Sequence, residues 1–349
     1  MPGGGDLVKA AVIHAPHDLR VDEVDTPAPG PGEVAVRVRA GGICGSDLHY
    51  FHAGGFGTVR IRHPMILGHE VAGEVMEVGS AVTRVRPGDS VAVNPSLPCN
   101  RCRFCLAGQQ QHCLDMRFYG SAMRDPHVHG GFRETLVCDE SQAVPAAMPP
   151  ERAAFAEPLA VCLHAANQAG NLSGRRVLVT GAGPIGALLV LVVRHAGAAE
   201  ITATDLLDAP LAMARRLGAD RGLNMRADPE ALAPFHADKG VFDVVFEASG
   251  SAAALSAALP AARPGATIVQ VGVGAGEASL PLNTVVAKEI TLRGTFRFHA
   301  EFEQAVRLLE SGRVDVAPLL TERVPLSEAV RAFELASDRS RAMKVQLAF

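Results

Sequence analysis

The stretch Arg176-Val177-Leu178-Val179-Thr180-Gly181-Ala182-Gly183-Pro184-Ile185-Gly186 decides the fold. A buried-strand run passes into a G-x-G-x-x-G turn, and the apolar residues 187–193 behind it predict a helix to about Ala196. In a chain with 35 glycines the pattern alone is weak. Its context gives the glycines physical work: a tight turn, close approach of backbone to a pyrophosphate, and tight packing of helix on strand. The helix N-terminus offers unpaired N–H groups and a positive dipole end to phosphate. Gly181, Gly183, Pro184, Ile185 and Gly186 are therefore candidate cofactor contacts. Asp205 ends the next strand, nineteen residues beyond Gly186, where a carboxylate binds ribose hydroxyls and repels a 2′-phosphate. The residues behind it, Leu206-Leu207-Asp208-Ala209-Pro210, include no arginine, so NAD is expected before NADP.

Outward from this turn, strands are expected at 200–205, 242–247, 266–271 and 290–295, with helices at 209–217 and 252–262. Strands alternating with helices of this length indicate a parallel, doubly wound Rossmann sheet. The first 150 residues differ. Segments 8–13, 33–39, 71–78 and 90–93 are short strands, and Pro27-Ala28-Pro29-Gly30-Pro31-Gly32 is a turn or linker. After residue 299 come helices at 301–311 and 327–337 and a last strand at 344–347. The expected class is α/β. A β-rich domain comprises 1–160 and 299–349, with a dinucleotide-binding domain, 161–298, inserted in it.

At 349 residues and 48% hydrophobic content the chain can build two cores, which excludes a disulfide miniprotein and a disordered tail. A net charge of −4 supplies no reason for a nucleic-acid partner. Met1-Pro2-Gly3-Gly4-Gly5-Asp6 is no leader, and 187–193 falls short of the roughly 20 residues that cross a bilayer. A cytoplasmic protein without membrane contact is expected. Seven cysteines, four of them within 99–113, read as metal and thiol chemistry in a reducing compartment.

Cys99-x2-Cys102-x2-Cys105-x7-Cys113 can wrap one tetrahedral ion, and four thiolates make a closed, structural zinc site. An iron–sulfur cluster and metal-free thiols are the alternatives. Elsewhere stand Cys44, His69-Glu70 and Glu157. Singly, each is more often a core residue than a ligand. Together a thiolate, an imidazole and a carboxylate form the mixed set that leaves a zinc position open to water or substrate. Cys138 and Cys162 remain as core residues.

Five motifs follow one another: Cys44-Gly45-Ser46-Asp47-Leu48-His49, then Gly68-His69-Glu70-x2-Gly73-x5-Gly79, the four-cysteine lobe, Glu157-Pro158-Leu159-Ala160 and the glycine turn. In this order they resemble the zinc-dependent medium-chain alcohol dehydrogenase family over essentially the whole chain. Glu157, where alcohol dehydrogenases place a cysteine, resembles the polyol (sorbitol) branch. Segments 41–50, 115–123, 292–298 and 344–349 look closer still to enzymes that take L-idonate to 5-keto-D-gluconate.

The resemblance implies a GroES-like catalytic domain, two zinc ions per chain and a homodimer or homotetramer. It implies hydride transfer from a secondary alcohol of an aldonate or polyol to NAD(P). Sorbitol or xylitol oxidation is the alternative within the family. By resemblance, Cys44, His69 and one or both of Glu70 and Glu157 hold the catalytic zinc, and Ser46 and His49 relay the proton. Tyr50, Phe118 and Arg297 approach the substrate, and Val271, Gly272, Val273 and Phe296 line the nicotinamide. An aldonate also needs a cation for its carboxylate, Arg297 first and Arg117 second. Polyol dehydrogenases often carry an arginine shortly after the ribose aspartate. Pro210 stands there in this chain, which argues against dual NAD/NADP use. A zinc-lobe nucleic-acid-binding protein is the rival class, but only Arg101, Arg103 and Arg117 offer cations near the lobe.

Overall fold

The alternating residues near position 35 build the strand Glu33–Gly42, the centre of the first domain in a computed structural model that describes residues 6–274, 277 and 279–349. Its sheet runs in the order Ala143–Pro145, Ser90–Val93, Glu70–Val78, Glu33–Gly42, Lys344–Ala348, Leu320–Pro325, with Thr135–Asp139 also paired to Glu33–Gly42. The C-terminal strand lies antiparallel to Glu33–Gly42 through Gln346 opposite Gly42, so segments from before and after the parallel sheet share one sheet. A smaller sheet joins Asp18–Thr26, Asp6–Ala15 and Met65–Ile66.

The second sheet has six parallel strands: Arg221–Asn224, Glu200–Asp205, Arg176–Thr180, Phe242–Glu247, Ala262–Gln270 and Thr291–Gly294, in that spatial order. Counted from Arg176–Thr180 this is 3-2-1-4-5-6, the doubly wound dinucleotide-binding order, with its switch point beside the first strand. Val177, Leu178 and Val179 are completely buried, as strands covered by helices on both faces must be. The expected α/β class, β-rich plus Rossmann, is therefore the observed one.

The helix Ala156–Ala169 has no counterpart among the expected elements. Ten of its fourteen residues are buried, so it lacks the one-sided apolar stripe that marks a helix in sequence. It packs against both Pro184–His195 and Glu301–Glu310. One apolar cluster runs from Ala40, Ala72 and Ala92 of the first sheet through Leu159 and Leu163 of this helix to Val177 and Val179 of the second. The edge strand Arg221–Asn224 is likewise unmarked, because Arg221-Gly222-Leu223-Asn224 has neither alternation nor β-branched residues.

Candidate active site and metal centres

Glu33–Gly42 runs directly into Ile43 and Cys44, and Cys44 is the N-cap of the helix Gly45–Ala53. The Cys44 N–H donates to Asp47 Oδ2 at 3.0 Å, and the Gly68 N–H donates to Asp47 Oδ1 at 3.2 Å. Asp47 is completely buried, and Oδ1 lies 3.7 Å from His69 Nδ1. One carboxylate thus ties the Cys44 loop to the His69 loop and aligns the imidazole. Such a carboxylate behind a ligating histidine sets its tautomer and orientation. Nothing marks Asp47 as special in sequence beyond its place three residues after Cys44.

Cys44 Sγ, a ring nitrogen of His69 and a carboxylate oxygen of Glu70 lie within 4.8 Å of one another. Lys344 Nζ donates to Glu70 Oε1 and Oε2 at 2.8 and 2.7 Å and to the Ile43 carbonyl at 3.2 Å. Burial pushes the Cys44 thiol up, and the Glu70 charge pushes it further. His69 Nδ1 is buried without a hydrogen-bond partner among the described residues. A half-buried cysteine, an imidazole backed at Nδ1 by Asp47 and a buried carboxylate form a donor set that fits zinc with one position left open. Glu157, in the first turn of Ala156–Ala169, is buried beside this set. Desolvation raises its carboxyl, the His69 field opposes this, and the Glu70 and Cys44 charges add to it.

Arg297 covers the other wall. Its guanidinium carbon lies 3.9 Å above the Phe118 ring and 4.9 Å from Phe296, and Phe118 stands 5.6 Å from His69. Burial lowers Arg297 to about 10, against the fields of Glu157 and Tyr50. Its φ of +53° lies in the left-handed region, which is rare for a side chain of this size. Tyr50 is buried and its hydroxyl oxygen accepts the Ala122 N–H at 3.0 Å. Ser46 hydrogen-bonds the Cys44 thiol, while His49 is exposed on the same helix.

Arg117 is not brought to this group. It is exposed and lines a separate cavity with Arg124, His127, His129 and Arg133. Phe118, its neighbour in a strand, takes the side facing His69, and alternation turns Arg117 away.

The lobe places all four sulfurs of Cys99, Cys102, Cys105 and Cys113 within 4.8 Å of one another. The N–H groups of Cys99 and Asp115 donate to Cys113 Sγ at 3.2 and 3.3 Å. Cys102 Sγ and Cys105 Sγ are 3.5 Å apart, far beyond a disulfide bond. The set fits a closed tetrahedral zinc. Cys138 and Cys162 are buried in the core.

At the glycine turn, Gly181 has φ +83°, and a Cβ there would lie 2.7 Å from Ser249 Cβ. A Cβ on Gly186 would lie 1.8 Å from the Gly181 carbonyl oxygen. Pro184 opens the helix Pro184–His195, with half-buried Ile185 behind it. Asp205 Oδ1 accepts the N–H groups of Leu206 and Leu207, and Oδ2 accepts the Ala182 N–H at 2.8 Å. Arg339 Nη2 also donates to Asp205 Oδ2, at 2.6 Å. The absence of arginine at 206–210 therefore does not leave Asp205 without a cation. Val271 and Gly272 donate their N–H groups to the Glu247 carbonyl, Val273 is exposed, and Phe296 stacks on His112 of the lobe at 6.1 Å.

Residues 30–149 match the family described as alcohol dehydrogenase GroES-like domain, and residues 184–311 match zinc-binding dehydrogenase. L-idonate 5-dehydrogenase (NAD(P)(+)) of Escherichia coli K12 is 44% identical over 90% of this chain and 91% of that protein. Sorbitol dehydrogenase of Gallus gallus is 35% identical over 97% of this chain and 95% of its own. The crystal structure of the Escherichia coli L-idonate 5-dehydrogenase superposes with a TM-score of 0.93 at 40% identity, covering 99% of both chains. By identity and coverage alike, this oxidoreductase belongs to the zinc-dependent medium-chain alcohol and polyol dehydrogenase family.

Proposed function

We propose that the enzyme oxidises a sugar acid, L-idonate in the first place, to 5-keto-D-gluconate with NAD(P)⁺. The observation that carries this reading is the 44% identity to an L-idonate 5-dehydrogenase, against 35% to a sorbitol dehydrogenase. The site supports it: Arg297 offers a guanidinium over the Phe118 ring that faces His69 and within the field of Glu157, suited to a carboxylate that a polyol lacks. The test is a cofactor-reduction screen over L-idonate, sorbitol and xylitol, run with metal analysis. The expected result is a kcat/KM for L-idonate at least about tenfold above either polyol, one decade being about 1.4 kcal/mol of transition-state binding. A preference for sorbitol or xylitol overturns the assignment.

When bound, zinc supplies a Lewis acid that lowers the pKa of the substrate hydroxyl, and nicotinamide supplies the hydride acceptor. Cys44, His69 and a carboxylate, Glu70 or Glu157, would hold that zinc. The charges balance: one thiolate and two carboxylates face the two charges of zinc and the one of Lys344. Ser46 Oγ accepts the hydroxyl proton as it gives its own hydrogen onward toward His49, whose exposed ring nitrogen returns a proton to solvent. Arg297 grips the carboxylate, Tyr50 presents its O–H to the substrate because its oxygen is held by Ala122, and Phe118 excludes water. Gly181, Gly183, Pro184, Ile185 and Gly186 cradle the pyrophosphate. Asp205 reads the ribose, and Val271, Gly272, Val273 and Phe296 border the nicotinamide. Cys99, Cys102, Cys105 and Cys113 hold the structural zinc. The same reading places the enzyme in the cytoplasm as a homodimer or homotetramer with no nucleic-acid or membrane partner.

A further inference from the structure

The carboxylate that reads the ribose is already engaged. Asp205 Oδ1 holds two backbone N–H groups, and Oδ2 holds the Ala182 N–H and the Arg339 guanidinium. Arg339 does not come from the dinucleotide-binding sheet. It follows the helix Ala329–Ser337 and lies 134 residues from Asp205 along the chain. Its backbone sits in a turn pinned by Asp338: the Ser340 N–H donates to the Asp338 carboxylate at 3.0 Å, and the Arg341 and Ala342 N–H groups donate to its carbonyl at 3.0 Å. The Arg339 side chain is 47% exposed, so part of the guanidinium faces solvent while Nη2 holds Asp205. It also reaches over the glycine turn, with Nη2 3.5 Å from where a Gly183 Cβ would stand.

We infer that Arg339 is the receptor for the 2′-phosphate of a phosphorylated dinucleotide, and that this residue decides whether the enzyme accepts NADP. The inference rests on the reading of Gly181–Asp205 as the dinucleotide site. A bare carboxylate at Asp205 repels a 2′-phosphate. A guanidinium 2.6 Å from the same oxygen cancels that charge at the point where the phosphate arrives. Its five N–H donors let one edge keep Asp205 while another takes phosphate oxygens. An unphosphorylated ribose needs none of this. It takes the Asp205 oxygen, and the exposed arginine turns outward. One residue thus serves both cofactors, and it stands outside the segment 206–210 in which the selectivity signal is sought.

The test measures binding, not turnover. AMP and 2′,5′-ADP, which differ only in the 2′-phosphate, are titrated calorimetrically into the zinc-loaded enzyme free of dinucleotide. Arg339→Ala is expected to weaken 2′,5′-ADP by about tenfold or more, the loss of a charge-assisted hydrogen bond, while AMP changes by less than about threefold. Arg339→Lys, which keeps the charge and the fold but not the fork, is expected to fall between. Equal losses for both nucleotides, or no loss in either variant, overturn the inference. Failure of the unmodified enzyme to bind either nucleotide instead overturns the dinucleotide site itself.

Discussion

At the residue scale the site is governed by which charges face which. Glu70 and Lys344 are both buried, and each satisfies the other at 2.7 Å. Lys344→Met leaves the Glu70 carboxylate without its partner and is expected to cost about 3–5 kcal/mol, read from urea unfolding. Unchanged stability shows that the pair contributes nothing net. Glu157→Ala is expected to lower kcat/KM at least about 100-fold while the lobe keeps its zinc, and full activity removes Glu157 from the site. Asp205→Ala is expected to relax the preference for the unphosphorylated cofactor, measured as the ratio of kcat/KM for NAD to that for NADP. The candidate ligands are legible in the chain, because Cys44-Gly45-Ser46-Asp47 and Gly68-His69-Glu70 are short stretches with fixed spacing. Lys344 and Arg339 are not, since they reach Glu70 and Asp205 from 274 and 134 residues away.

The helix Ala156–Ala169 is the element on which the site turns. Its first turn carries Glu157, and two turns later His164 Nδ1 meets Glu301 Oε1 at 3.0 Å. Burial by itself raises Glu301, but the His164, His299 N–H and Asn167 hydrogen bonds outweigh it and hold the carboxyl at about 2, below its ordinary 4.5. A folded pKa below the unfolded one stabilises the protein above pH 4.5, and that contribution is lost as pH falls toward 2. Glu301→Gln is therefore expected to cost about 1–3 kcal/mol at pH 7 and to flatten the loss of stability between pH 4.5 and 2. Urea titrations at both ends of that window check it, and an unchanged acid limb refutes it. The glycine turn and its strands are legible because steric demand and strand–helix alternation are local. This helix is not, because burial nearly all round removes the period that would announce it.

For the whole molecule, the cysteine lobe and the dinucleotide-binding sheet meet through His112 on Phe296, with ring planes 10° apart. Cys105→Ser is expected to lower the zinc content from about two per chain to about one, since three thiolates no longer close a tetrahedral site. The loss also frees Phe296, so KM for the cofactor is expected to rise. A zinc content that stays at two shows that Cys105 is no ligand.

The amino-acid sequence alone determined the doubly wound sheet, the glycine turn at its switch point and both thiol-bearing donor sets. Each rests on sterics or ligand spacing within a few dozen residues, and backbone geometry allows few alternatives there. Tertiary structure decided what surrounds them. It set Asp47 behind His69, Lys344 on Glu70 and Arg339 on Asp205, and it turned Arg117 away from the wall that Arg297 lines. Electrostatic partners interact through space at a few ångströms, however far apart they stand along the chain, and local pattern carries no record of them.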